Sequence, residues 1–304
     1  MSDDRLLFIS FPFISRLPID LVKEEYGTLL SDLSLRRPLS FDDVLEWFKD
    51  NKIVISSGRI EFSHPSYFEA FEIFFEESLG VNIKSSVVSR VLLRLSEIDE
   101  AAWDVGRIVE HYFDKLPNDL RNELLLRLSE KEKTSTTVAW LLANNFAKLP
   151  ASLRKRLLSV LLEKPGTLRA IAWAIRYNFD SFSGDLENLL LRLSDIEEAS
   201  WDVGRIVKVY FNRLPSSLRN ELLLKLAKKT KSTKIAARII ANQYRDLPHE
   251  IQNVLSILAN SEKTARAVSW AISTNFGRIQ KDARDDLLLQ LSKRREAIRI
   301  CCGF

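Results

Sequence analysis

Leucine–proline pairs recur along this chain at a nearly fixed interval. Leu116-Pro117, Leu149-Pro150, Leu214-Pro215 and Leu247-Pro248 carry the beat. Phe182 and Ile279 fill its gaps, so the steps are 33, 33, 32, 33 and 32 residues. A period in this range marks a stacked helical repeat. Proline suits the first turn of a helix, where its missing N–H has no intrahelical partner to lose. Residues 117–130 predict a helix A with Leu120, Leu124, Leu125 and Leu128 on one stripe. Residues 134–148 predict a helix B that turns Val138, Leu141, Leu142 and Phe146 toward it. Neither helix buries its stripe alone, so neighbouring hairpins must stack. Six hairpins begin near residues 84, 117, 150, 183, 215 and 248, and a seventh helix A occupies about 281–293. The expected architecture for residues 84–304 is all-α: a right-handed α-solenoid of TPR- or HEAT-like hairpins. An unpartnered last helix would expose an apolar stripe, which fits a truncation, a special cap or self-association through that end.

A longer period overlies the short one. Residues 92–117 match residues 190–215 at 19 of 26 positions, which indicates that three hairpins were duplicated as a block. Each helix B also carries one small residue: Gly106, Ala139, Ala172, Gly204, Ala237 and Ser269. Glycine inside a helix costs roughly 1 kcal/mol against alanine, so Gly106 and Gly204 imply close approach of a neighbouring helix. Seven residues on stands an aromatic, expected in the core: Phe113, Phe146, Phe179, Phe211, Tyr244 and Phe276.

The residue after the small one is Arg107, Trp140, Trp173, Arg205, Arg238 or Trp270, and four residues earlier stand Trp103, Thr136, Arg169, Trp201, Lys234 and Arg266. Residues four apart share a helix face. Trp103–Arg107, Arg169–Trp173, Trp201–Arg205 and Arg266–Trp270 are therefore candidate cation–π pairs. Two readings follow. Tryptophans at repeat spacing can fill the seams between units under an arginine cover. Alternatively they form a partner-binding stripe, since tryptophan and arginine are enriched at hot spots. Lys225, Lys228, Lys229, Lys231 and Lys234 form a second basic cluster, either a solvated loop or a phosphate-binding surface.

Residues 1–83 do not follow the period. They carry 8 basic and 15 acidic side chains, against 37 and 26 in the remainder. A basic array behind an acidic head permits an acidic partner. Pro18 to Asp32 reads as a helix. Ser40-Phe41-Asp42-Asp43 reads as a capped helix start. Ile53-Val54-Ile55 and Ile60-Glu61-Phe62 flank the turn Ser56-Ser57-Gly58, and Pro65 opens a further helix. Helix, helix, β-hairpin, helix is the order of a winged helix. The candidate recognition helix, Phe41 to Lys49, carries Asp42, Asp43 and Glu46, which would repel phosphate.

The run Gly58-Arg59-Ile60-Glu61-Phe62-Ser63-His64-Pro65-Ser66-Tyr67-Phe68-Glu69-Ala70-Phe71, followed by helical repeats, resembles the C-terminal part of prokaryotic, often archaeal, STAND-type NTPases. Those proteins place a P-loop ATPase before a winged helix and a repeat sensor. The resemblance implies a signalling switch whose repeats recognise a trigger. It also implies that His64 would contact nucleotide only alongside an ATPase domain; the alternative role for His64 is to cap the helix at Pro65. The pattern G-x-x-x-x-G-K-[ST] is absent, and no glycine here precedes a lysine. The chain is then either a fragment or the partner of an ATPase on another polypeptide.

The leading expectation is a non-enzymatic interaction scaffold that binds a protein trigger. The alternative is a nucleic-acid-binding solenoid using the basic and Trp/Arg surface. No catalytic residue, cofactor or metal is expected from the spacing of His64, His111 and His249 or of the carboxylates. Asp104 and Asp202 are expected to pair with Arg107 and Arg205, three residues on. Cys301 and Cys302 are adjacent near the end and suit neither a disulfide framework nor a zinc site. The apolar run Leu6 to Ile14 is broken by Pro12 and too short to span a bilayer, so a cytoplasmic location is expected.

Overall fold

The computed structural model describes residues 2–35, 38–49, 52–79, 87–164, 166–182, 185–248, 254–260 and 262–293. His249, Cys301 and Cys302 lie outside the described residues. Among the described residues, regular structure consists of seventeen α-helices, short 3-10 turns and one two-stranded sheet. The chain forms two compact units, residues 1–167 and 168–304.

The first unit begins with a helix that the sequence pattern does not reveal. Helix α1 (Asp3–Ile14) buries Leu7, Phe8, Phe11, Phe13 and Ile14 and lies at the centre of the head. A helix that is apolar all round has no 3.6-residue stripe, so periodicity does not detect it. Around it lie α2 (Ile19–Leu33), α3 (Phe41–Lys49), β1 (Ile53–Ser56), β2 (Arg59–Phe62) and α4 (Pro65–Leu79). Phe8 stacks on Phe48 at 5.4 Å and meets Phe41 at 5.5 Å, while Phe13 meets Phe71 and Phe75 at 5.0 and 4.7 Å. The order helix, helix, hairpin, helix is therefore present, built around α1.

Local chemistry sets these elements. Ser40 and Asp43 form the capping box at α3: the Asp43 N–H donates to Ser40 Oγ at 3.2 Å, and the Ser40 N–H donates to the Asp43 carboxylate at 3.3 Å. β1 and β2 pair antiparallel with Ile55 opposite Ile60. Ser57 and Gly58 both have positive φ, 51° and 73°, the backbone of a two-residue type I′ turn. The carboxylate of Asp4 accepts the Leu39 N–H at 3.1 Å. Burial alone would raise its pKa, but hydrogen bonds from Ser2, Leu39 and Arg5 overcome that and hold the carboxyl below its ordinary value. Tyr26 donates to the Leu39 carbonyl at 3.0 Å, and burial pushes its phenol pKa up.

The head packs directly on the first repeat helix. Within the first unit follow α5 (Val87–Glu97), α6 (Ala102–His111), α7 (Asn118–Glu130), α8 (Glu132–Asn144) and α9 (Ala151–Leu161). Helix α1 packs on α5. Arg94 of α5 grips Glu25 of α2 with two hydrogen bonds, 2.5 and 3.1 Å, and the Glu25 side chain is buried. Tyr112 donates to Glu72 of α4 at 2.9 Å, and burial first, then Glu72, raises its pKa.

The second unit comprises α10 (Leu168–Tyr177), α11 (Leu186–Ser194), α12 (Glu197–Tyr210), α13 (Ser216–Lys228), α14 (Thr233–Asn242), α15 (Val254–Ala259), α16 (Glu262–Asn275) and α17 (Lys281–Ser292). Helices A and B thus alternate through the repeats as the period predicts, with a seventh helix A at α17.

Three devices recur, and the leucine stripes reveal none of them. First, Pro117, Pro150 and Pro215 are N-caps with ψ near 140°, one residue earlier than the first-turn position expected. Their carbonyls accept the N–H of Arg121, Arg154 and Arg219 at 2.9–3.0 Å. Second, those arginines reach back over the aromatic of the preceding unit: Arg121 over Phe113, Arg154 over Phe146 and Arg219 over Phe211, at 4.6, 4.6 and 4.2 Å. Arg121 and Arg154 also donate to the carbonyl of that same phenylalanine. Third, a buried hydroxyl at the start of helix B closes the preceding helix A. Thr134, Thr167 and Ser232 donate to the carbonyls of Leu128, Leu161 and Leu226 at 2.6, 2.5 and 2.7 Å, and Thr264 donates to that of Leu258. The carbonyls of Leu128, Leu161 and Leu226 also accept the N–H of Lys131, Lys164 and Lys229, so the hydroxyl is a second donor at the end of helix A. The equivalent positions in the two duplicated hairpins are alanines, Ala101 and Ala199, both buried.

Candidate partner-binding faces

Gly106 and Gly204 are buried where the next helix B, α8 and α14 respectively, packs against them. A Cβ added at Gly204 would lie 2.5 Å from Cγ2 of Ile235 on α14, closer than carbon atoms can approach. One added at Gly106 would meet Thr137 and Thr134 of α8 at 3.8 and 4.0 Å, an ordinary contact. The expected close approach is therefore present at Gly204 and not at Gly106, where a methyl group fits.

This packing turns the neighbouring positions outward. Trp103, Trp140, Trp201 and Trp270 are 51%, 37%, 36% and 45% exposed, and Trp173 is half-buried. Trp103, Trp140, Trp201 and Trp270 are therefore not buried in seams between units. Arg107, Arg169, Arg238 and Arg266 are exposed beside them, and Arg205 is half-buried.

The pairs are not uniform. Arg107 stands over Trp103 at 5.2 Å. Arg169 instead approaches Asp202 at 3.5 Å, and Trp173 lies against Tyr177 at 4.5 Å. No ring–guanidinium contact joins Trp201 to Arg205 or Trp270 to Arg266 among the described residues. The expected local pairing of Asp104 and Asp202 is also corrected. Asp104 accepts from Ser15 Oγ at 2.7 Å and Asp202 faces Arg169, so each ties its helix to a neighbouring element and not to its own arginine. Phe276, expected in the core, is 51% exposed although Arg284 covers one face at 4.2 Å. Phe113 and Phe179 gain a second cover from residues about one repeat further on, Lys148 and Tyr210.

The lysine cluster is largely engaged internally. Lys225 pairs with Asp195 at 2.7 Å, Lys229 donates to the Asp195 carbonyl at 2.6 Å, and Lys231 approaches Glu198 at 3.7 Å. Lys131 and Lys164 make the same reach to the carbonyls of Glu97 and Glu130. These lysines join consecutive units. Lys228 and Lys234 remain exposed.

His64 is exposed, and its Nδ1 accepts the Ser66 N–H at 3.2 Å and lies 2.8 Å from Ser66 Oγ. It therefore caps α4. Sequence reasoning missed two further features of the first unit. Trp47 of α3 is exposed and lies between Arg5 and Lys52, at 4.1 and 3.8 Å from its ring. A cleft of about 1140 Å³ opens between the head and α6, lined by Arg16, Arg59, His64, Glu69, Arg107 and Glu110 among others. Several of its carboxylates are committed: Asp104 to Ser15, Glu72 to Tyr112 and Glu61 to Arg16. No group of three or more His, Cys, Asp or Glu side chains converges as a metal site among the described residues. No described helix is long and apolar enough to cross a membrane.

No family model, curated protein or solved structure matches the chain. The functional reading therefore rests on the geometry of the helix-B faces.

Proposed function

We propose that the chain is a non-enzymatic interaction scaffold: a winged-helix head followed by an α-solenoid whose helix-B faces bind a protein trigger. The observation that carries this reading is the row of exposed tryptophans at repeat-equivalent positions. A large indole left in water at one position is ordinary. The same exposure recurs at Trp103 and Trp140 in the first unit and at Trp201 and Trp270 in the second, and gives each unit a helix-B face that gains from being covered. The resemblance of residues 58–71 to STAND-type NTPases, together with the order of head elements, supports placing the scaffold as the sensor of such a signalling ATPase. The phosphate-binding pattern is absent from residues 1–304, and His64 is occupied as a helix cap, so the reading assigns ATP hydrolysis to a domain outside these residues.

The test compares oxidative footprinting of the tryptophans in the isolated chain and in the complex recovered from its native cell extract. Trp103 and Trp140 are expected to be protected in the complex. Equal labelling of both in the two states would overturn the reading, as would ATP turnover by the purified chain.

A further inference from the structure

The two units differ in what surrounds their tryptophans. Residues 168–304 carry 23 basic against 15 acidic side chains, and residues 1–167 carry 22 against 26. In the second unit, the cations of the loops and seams are largely matched: Lys225 with Asp195, Lys231 with Glu198 and Arg213 with Asp180. The helix-B face differs. Lys208, Lys234, Arg238 and Arg266 are exposed, and none of them pairs with a carboxylate among the described residues. Trp201 and Trp270 flank this group on α12 and α16, and α14 packs between those two helices. At the usual 8–10 Å between packed helices, the indoles stand roughly 16–20 Å apart.

A protein partner of ordinary kind would need a continuous apolar centre. Between these indoles α14 exposes Lys234, Arg238 and Asn242 instead. Isolated flat rings separated by unpaired cations match a polyanion that carries flat rings of its own. Bases stack on exposed aromatics whatever their identity, and arginine and lysine neutralise the phosphates between them.

We propose that the helix-B face of the second unit binds single-stranded nucleic acid, with Trp201 and Trp270 as stacking platforms and Lys234, Arg238 and Arg266 as phosphate contacts. The proposal rests on the reading of helix-B faces as binding surfaces, and it names a partner class for one of them. Duplex DNA fits less well, because its bases are already stacked and offer no faces to the indoles.

The test uses the full chain and labelled mixed-sequence RNA and DNA oligonucleotides, the same DNA as a duplex, and a polyglutamate peptide. Fluorescence anisotropy is read at about 50 and 200 mM salt. Single strands are expected to bind most tightly and to quench indole fluorescence. With these three cations engaged, the salt slope near −0.7 per contact predicts roughly a twenty-fold loss of affinity across that range. W201A and W270A should each weaken binding about ten-fold, and Trp201→Phe should restore most of it. Arg238→Glu should weaken it further, while W103A and W140A in the first unit leave it unchanged. Helical circular dichroism of each variant confirms folding.

No single-strand binding at low salt overturns the proposal. So does equal affinity for polyglutamate, which assigns the face to an acidic protein, or tighter binding of the duplex. Charge-dependent binding that ignores both tryptophan variants overturns the stacking role and with it the proposal. Any of these failures leaves protection of Trp103 and Trp140 to decide the scaffold reading separately.

Discussion

Two glycines with identical neighbours should respond oppositely to the same substitution. Gly106 and Gly204 both sit in the run Trp-Asp-Val-Gly-Arg-Ile-Val, so any helix-propensity argument treats them alike. Alanine gains roughly 1 kcal/mol over glycine in a helix interior. At position 106 the new methyl meets threonine methyls at 3.8 and 4.0 Å, and the gain stands. At position 204 it meets Ile235 Cγ2 at 2.5 Å. Relief requires α12 and α14 to separate or Ile235 to leave its rotamer, and overpacking of this kind costs about 1–3 kcal/mol. G106A should therefore stabilise α6 by about 1 kcal/mol, whereas G204A should leave α12 unchanged or destabilise it by up to about 2 kcal/mol.

Because the two sites lie in different compact units, a single global transition need not report both. Amide hydrogen exchange of α6 and α12 reads each site locally. A double-mutant cycle with I235A identifies the cause. I235A alone should cost about 2–5 kcal/mol, and the pair should cost less than the sum by about the overpacking term. Equal stabilisation by both glycine substitutions would refute the close approach at Gly204, as would additivity in the cycle.

The other recurring devices give sharper single-site expectations. T134V removes the side-chain donor to the Leu128 carbonyl while keeping the shape, and should lower the stability of the first unit by about 0.5–1.5 kcal/mol in urea titration; T134S should recover most of it. R121K keeps the charge but loses the fork that spans Phe113 and Asn118, and should cost about 1–2 kcal/mol by the same measurement. For pH, the folded-state pKa values of Tyr26 and Tyr112 are raised above the ordinary 10.0. Their contribution is thus fully present below about pH 10 and lost as pH rises through the folded values. Melting temperatures taken from about pH 9 to 11 should fall less steeply in the Tyr26→Phe, Tyr112→Phe double variant than in the parent.

The legible and illegible parts of this fold divide along physical lines. The leucine stripes and the period place the repeat helices, because burial of a helix face needs apolar residues at fixed spacing. The hairpin turn was legible through Ser57-Gly58, since positive φ at two successive residues demands such a pair. Helix α1 was hidden because a helix buried on every side has no stripe. The arginine caps were hidden for a different reason. Pro117-Asn118-Asp119-Leu120-Arg121, Pro150-Ala151-Ser152-Leu153-Arg154 and Pro215-Ser216-Ser217-Leu218-Arg219 share a visible Pro-x-x-Leu-Arg signal. An arginine on helix A reads as solvent-facing unless the aromatic eight residues before it is known to lie beneath.

The same accounting applies to charge. The cluster Lys225–Lys234, with five lysines within ten residues, reads from sequence as either a solvated loop or a phosphate-binding surface. Their geometry engages them largely within the fold. A lysine that crosses to the previous helix A, as Lys229 does at the Asp195 carbonyl, satisfies an acceptor left open at a helix end. Drawing it toward a ligand would reopen that acceptor and loosen a seam. Lys234 and Arg238 make no such contact, so a ligand can recruit them without a structural penalty. The cations available for binding are those the fold leaves unpaired, and on the second unit Lys234 and Arg238 are two of them, on the helix B that packs against the helices of Trp201 and Trp270.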